Sequence, residues 1–82
     1  MTESDKLDGA IRAALGLPDG SDLSGIAYGR TEGWDSVAHM QLVAAIENAL
    51  GIMIETDDVI AMSDYAAVTS ILREHHGIAL EP

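Results

Sequence analysis

Three residues of this chain, Asp35, Ser36 and His39, supply the residue types of a hydrolase triad within five positions. Such a triad needs an aspartate that orients the histidine, and an oxyanion hole in a site that excludes water. The spacing argues against this chemistry, because adjacent Asp35 and Ser36 point in different directions. His39 also projects nearer the buried face of a helix than its exposed face. We therefore expect no enzyme here, and we expect His39 to pack against a loop or to contact a polar group.

Ser36 also lies where a helix should begin, between a glycine-rich stretch and a run of apolar residues with helical spacing. Serine and aspartate are both favoured N-caps, so either Asp35 or Ser36 can cap this helix. If Asp35 is the cap, the Ser36 hydroxyl is spare and faces solvent. The free N–H groups and the dipole of a helix start would then favour a phosphate attached there.

No other group of residues predicts a metal, nucleotide or thiol site. The segment DGSDLSG lacks the regular oxygen ligands and the closing glutamate of a calcium loop. The glycine-rich stretch matches no phosphate-binding loop, and the chain has no cysteine. His75 and His76 are neighbours on a predicted helix, so we expect their side chains to diverge.

The composition predicts one small domain over residues 1–82, with fourteen acidic and four basic residues and a formal net charge of −10. This charge opposes binding to nucleic acid and to anionic membranes. It favours partners with basic surfaces, or it serves solubility alone. No signal segment or spanning run is present in the sequence, so we expect a cytoplasmic monomer. The starting Met1 favours a free-standing protein.

Apolar periodicity predicts an all-α fold with three longer helices, one short third helix and a long loop between the first and second helices. The loop holds five of the eight glycines, with room for one helical turn near residues 21–26. Trp34 is expected to anchor this loop, a direct partner contact being the alternative. The predicted helices run from about Glu3 to Leu15, from Asp35 or Ser36 to Leu50, over a short turn capped by Thr56, and from Ser63 or Asp64 to about His75.

The second helix has an apolar face and a separate face with two apolar side chains when its residues are placed about 100° apart. The face predicted to join the core consists of Leu42, Val43, Ile46, Ala49 and Leu50. The other face consists of Val37, Met40, Gln41, Ala44 and Asn48, with Ser36 and Glu47 at its edge. An apolar patch beside a serine at a helix start, with acids nearby, favours a docking surface. The alternative is that the long loop folds over the patch and buries it.

The segment WDSVAHMQLVAAIENALGIMIETDD resembles the central part of an acyl carrier protein, and the resemblance extends over nearly the whole chain. It implies a four-helix bundle whose Ser36 carries covalent 4'-phosphopantetheine, installed from coenzyme A by a magnesium-dependent phosphopantetheinyl transferase. The terminal thiol of that arm would hold acyl groups as thioesters. The implied partners are this transferase and the acyl-loading, acyl-transfer and condensing enzymes.

The resemblance also assigns roles to individual residues. Those implied in partner recognition are Asp35, Val37, Met40, Gln41, Ala44, Glu47, Glu55, Asp57 and Asp58. Those that would line a cleft for an acyl chain between the second and third helices are Leu42, Val43, Ile46, Val59 and Ile60. Ordinary core packing is the alternative interpretation for each residue of the cleft.

The sequence departs from fatty-acid carriers at Gln41 and Asn48, where acids would be expected. The WDS segment followed by His-Met looks more like free-standing carriers of specialised polyketide or hybrid pathways. A second hypothesis needs no prosthetic group. In it, the chain is a small acidic helical adaptor that docks a basic partner through Val37 and Met40.

Overall fold

The computed structural model describes residues 2–80 and confirms the all-α prediction: within these residues there is no strand, only an isolated bridge between Ala27 and Asp64. Four helices follow in chain order. They are α1 (Glu3–Leu15), α2 (Ser36–Leu50), α3 (Thr56–Ala61) and α4 (Tyr65–His76). No helix in this part of the chain combines the length and apolar character needed to span a membrane.

Local capping sets where the helices start and stop. The Asp35 carboxylate accepts a hydrogen bond of 2.9 Å from the Ala38 N–H at the start of α2, and Asp64 caps α4 in the same way. Each of α1, α2 and α4 ends at a glycine in the left-handed conformation. Helix α3 differs, because Glu55 at its N-cap makes no side-chain capping bond and Thr56 is already the first helical residue. The expectation that Thr56 is the cap is therefore wrong.

The long loop is irregular but attached to the helices at several points. The helical turn expected near residues 21–26 is absent; a turn closed by the Ile26 N–H and the Leu23 carbonyl replaces it. The Arg12 guanidinium donates to the Ser21 carbonyl through Nη2 at 2.6 Å and Nε at 3.1 Å, which ties the loop to α1. Leu23 and Ile26 are buried, so the loop contributes side chains to the core.

The core lies where α1, α2, α4 and the loop meet, and it positions the start of α2. Leu42, Val43 and Ile46 are buried as predicted, whereas Ala49 and Leu50 are only half-buried. The largest fully buried side chains are Trp34, Leu7, Ile11, Leu42, Ile46, Met62, Leu72 and Val68. Trp34 lies directly before the Asp35 cap, so the burial of Trp34 holds the N-terminus of α2 against the core. Its predicted role as a loop anchor is confirmed.

Candidate functional site

Ser36 is exposed at the first position of α2. Because Asp35 occupies the N-cap and bonds the Ala38 N–H, the serine is not needed to cap the helix. Its hydroxyl makes no hydrogen bond to any other residue in the range 2–80. Of the two alternatives open at this helix start, the structure selects Asp35 as the cap and leaves the Ser36 side chain exposed.

A cavity of about 410 Å³ opens beside Ser36. This volume lies within the range of about 300–1,000 Å³ that small-molecule sites occupy. The cavity is formed by α2, α3, the segment after α3 and the long loop. Its lining consists of Tyr28, Ser36, His39, Met40, Val59, Ile60, Met62 and Ser63. Five of these eight side chains are apolar or aromatic, so the surface next to the serine suits an apolar group.

The His39 ring forms part of the wall of this cavity and is held on several sides. Its Nδ1 accepts a hydrogen bond of 3.0 Å from the Trp34 indole, which can only donate. Its Nε2 lies 2.7 Å from the Val59 carbonyl oxygen, which can only accept, so Nε2 carries the proton. The ring also stacks on Trp34 and meets Tyr28 edge-on. Both ring nitrogens therefore have partners other than Ser36 and Asp35, so the side chains of the apparent triad are not hydrogen-bonded to one another.

The predicted docking face of α2 is exposed. Val37 is 66% and Met40 is 63% exposed, and Gln41 and Ala44 also face solvent. The alternative in which the long loop buries this patch is therefore wrong. Single exposed apolar residues are ordinary. These two, however, lie within one helical turn of Ser36, and Met40 also lines the cavity.

The acidic residues assigned to partner recognition fall into two groups. Asp35, Glu55 and Asp57 are exposed. Glu47 and Asp58 are half-buried and have partners within the chain. The Glu47 carboxylate accepts a hydrogen bond of 2.8 Å from the Ile54 N–H, and it thereby holds the segment between α2 and α3.

Asp58 connects α3 to the end of α4. His75 donates from Nδ1 to one oxygen of the carboxylate at 2.8 Å, and His76 Nε2 lies 3.4 Å from the other oxygen. The expectation that the two histidines diverge is wrong in this respect, because both rings reach the same side chain. Within residues 2–80, no three histidine or acidic side chains are grouped so that they could hold a metal ion.

The predicted acyl cleft is only partly the observed cavity. Val59 and Ile60 line it as expected. Leu42, Val43 and Ile46 do not, because they pack into the core at 5% exposure or less. These three residues do not line the observed cavity, whereas His39, three residues before Leu42 on α2, does. Their role in holding an acyl chain stays a prediction.

Sequence reasoning missed four residues of the cavity, which are Tyr28, His39, Met62 and Ser63. Tyr28 gave a partial signal as an apolar anchor of the loop, and His39 as a residue near the core face. Nothing in the local sequence of Met62 and Ser63 indicates the cavity, since they reach it through the packing of α3 against α2.

Comparison of the chain with known protein-family models, with curated proteins and with solved structures finds no match.

Proposed function

We propose that this protein is an acyl carrier protein that tethers acyl groups as thioesters on 4'-phosphopantetheine attached to Ser36, and presents them to enzymes of a biosynthetic pathway. One observation carries the proposal: an exposed serine with an unbonded hydroxyl begins α2 and lines an apolar cavity. The order of four helices with a short third one is what a four-helix carrier bundle requires.

The residues around Ser36 suit this modification. The hydroxyl oxygen would form the new bond to phosphorus of coenzyme A, and the bond to the adenosine bisphosphate half would break. The hydroxyl proton would pass to a base on the transferase. The resulting phosphodiester would lie at a helix N-terminus, where free N–H groups and the dipole favour negative charge. The arm supplies a thiol for thioester chemistry, which this chain lacks because it has no cysteine.

The surface around Ser36 suits basic partner enzymes. Asp35, Glu55 and Asp57 are exposed acids, and the chain as a whole carries a formal charge of −10. Long-range attraction of this kind raises association rates with basic proteins. Val37 and Met40 would then supply the apolar contact once the partner is bound. Since Gln41 is uncharged, apolar contact carries a larger share of recognition along α2. A specialised polyketide or hybrid pathway is the setting that we propose.

The experiment is modification in vitro. The apo protein is incubated with coenzyme A, magnesium and a broad-specificity phosphopantetheinyl transferase, and the intact mass is measured. We expect a gain of one phosphopantetheine group in the wild type and none in Ser36→Ala. Ser63→Ala is the matched control, because Ser63 is a second exposed serine in the same cavity and its loss should leave the mass gain unchanged. An unmodified wild type, or equal modification of Ser36→Ala, contradicts the proposal.

A second candidate function rests on the exposure of Val37 and Met40 alone. An acidic adaptor that docks a basic partner needs this patch but no prosthetic group. It predicts that Met40→Asp abolishes partner binding while Ser36→Ala leaves function intact in the cell. A carrier protein predicts that Ser36→Ala abolishes function, so complementation with these two variants separates the candidates.

A further inference from the structure

We propose that His39 is a specificity-determining residue: it closes the inner end of the cavity beside Ser36 and keeps a bound acyl chain out of the core. The inference rests on the proposed function, since it concerns the cargo of an arm on Ser36. It goes beyond that function by naming the residue that limits how deeply the cargo can enter the protein.

The first step is the position of His39 on α2. Leu42 and Val43 follow it by three and four residues, so the three side chains share one face of the helix. Leu42 and Val43 are 0% and 5% exposed, and neither lines the cavity, whereas His39 does. His39 therefore lies on the boundary between the cavity and the buried core.

The second step is the rigidity of this boundary. The ring cannot turn aside without losing the hydrogen bond from Trp34 to Nδ1 and the bond from Nε2 to the Val59 carbonyl. It would also lose its stacking on Trp34, whose ring centroid lies 6.0 Å away at an interplanar angle of 21°. Trp34 is itself 2% exposed, so it cannot move to follow the histidine without disturbing the core.

The third step is the path that an apolar chain would take from Ser36. Met40 and Ile60, at 63% and 74% exposure, form the outer part of the cavity, whereas Met62 is fully buried at its inner part. A chain tethered at Ser36 can gain apolar contact with all three. The His39 ring lines the same cavity, and both of its nitrogens already have partners. The cavity thus suits a short apolar acyl group, and the far end of a long chain remains at the surface.

The test uses protein loaded at Ser36 with butanoyl, octanoyl or tetradecanoyl phosphopantetheine by transfer from the corresponding acyl-coenzyme A. Intact mass is measured first, and thermal unfolding is then followed by circular dichroism. In the wild type we expect the melting temperature to rise from butanoyl to octanoyl and to rise no further with tetradecanoyl. In His39→Ala, where the boundary is open, we expect a further rise with tetradecanoyl.

The matched control is His39→Gln, since a glutamine amide can accept a hydrogen bond from Trp34 and donate one to the Val59 carbonyl. We expect it to behave as the wild type. An additional measurement needs no variant and holds even if His39→Ala does not fold. In wild-type protein loaded with tetradecanoyl, NMR methyl signals of Val59 and Ile60 should shift relative to the unacylated holo form, whereas those of Leu42 and Ile46 should not.

The outcomes separate the two proposals. No mass gain at Ser36 overturns the carrier function, and this inference falls with it. Loading with a tetradecanoyl chain that shifts the methyl signals of Leu42 and Ile46 in the wild type overturns the inference but leaves the carrier function standing. The inference is also overturned, and the carrier function left standing, if attachment of the arm alone shifts the methyl signals of Val59 and Ile60 and no acyl group shifts them further. The cavity would then hold the arm rather than the cargo.

Discussion

Replacement of Asp58 by alanine should lower the free energy of unfolding measurably. Replacement of the neighbouring exposed acid, Asp57, should lower it less. Asp58 accepts a hydrogen bond of 2.8 Å from His75, whose side chain is 56% exposed, so solvent screens this contact. His76 Nε2 lies 3.4 Å from the other carboxylate oxygen, and it is buried without a hydrogen bond. We expect the hydrogen bond from His75 to contribute about 0.5–1.5 kcal/mol to the free energy of unfolding. For a domain of this size, each kcal/mol lowers the melting temperature by about 4–8 °C.

The assay is thermal and urea unfolding followed by circular dichroism, with Asp57→Ala as the matched control. Both acids lie in the first turn of α3, so both substitutions remove the same favourable interaction with the helix dipole. Of these two acids, Asp58 is the one that forms a hydrogen bond to α4. A double-mutant cycle between Asp58→Ala and His75→Ala should give a coupling free energy of about 0.5–1 kcal/mol. Equal losses in Asp57→Ala and Asp58→Ala, or a coupling near zero, would refute the reasoning.

Three further predictions concern two N-caps, a half-buried phenol and a glycine. Asp35→Ala and Asp64→Ala each remove one N-cap hydrogen bond, so each should lower the free energy of unfolding in urea by about 1 kcal/mol. Only Asp35→Ala should also slow modification by the transferase. Equal modification rates in the two variants would contradict this. Burial, reinforced by a hydrogen bond to a carboxylate, raises the pKa of Tyr65 from its ordinary value of 10.0 to about 12. The folded state therefore keeps a proton that the unfolded state loses between these values. The contribution of Tyr65 to the free energy of unfolding is fully present below pH 10 and is lost as the pH rises through about 12. Tyr65→Phe should therefore reduce the loss of stability between these pH values. An unchanged dependence of stability on pH would refute the raised pKa of Tyr65. Gly33 has φ +88°, and an added Cβ would lie 3.3 Å from a carbonyl oxygen, so Gly33→Ala should lower the free energy of unfolding by about 1 kcal/mol or more. Gly25 faces open space, so Gly25→Ala should change this free energy little in the same urea assay. Equal effects of the two substitutions would contradict the predicted strain.

Most of the helical framework could be predicted from the sequence, because its causes are local. Asp35 and Asp64 bond to N–H groups three residues further along the chain, and Gly51 and Gly77 end their helices through their own backbone conformation. Helical periodicity likewise predicted which face of α2 carries Val37 and Met40. Each of these signals acts within one helix, so a sequence window contains all the information that it needs.

The candidate site could be predicted from the sequence only in part. The sequence indicated a helix start at Asp35 or Ser36, but it could not choose between them as the cap. Periodicity predicted that Leu42, Val43 and Ile46 join the core, whereas the resemblance implied that they line a cleft. The structure buries those three residues because α1 and the loop pack against the same face of α2 that periodicity identifies as apolar. An apolar face looks the same in sequence whether a core or a cavity covers it.

What the sequence determined by itself was the set of helices, the position of Ser36 at a helix start and the face of α2 that carries Val37 and Met40. The tertiary structure alone decided that His39 bonds to the Val59 carbonyl twenty residues away, and that Asp58 meets two histidines at the far end of α4. These contacts join atoms from different elements, and their distances depend on how α3 packs against α2 and α4. No local propensity specifies that packing, so the walls of the cavity emerge only when the whole chain is folded.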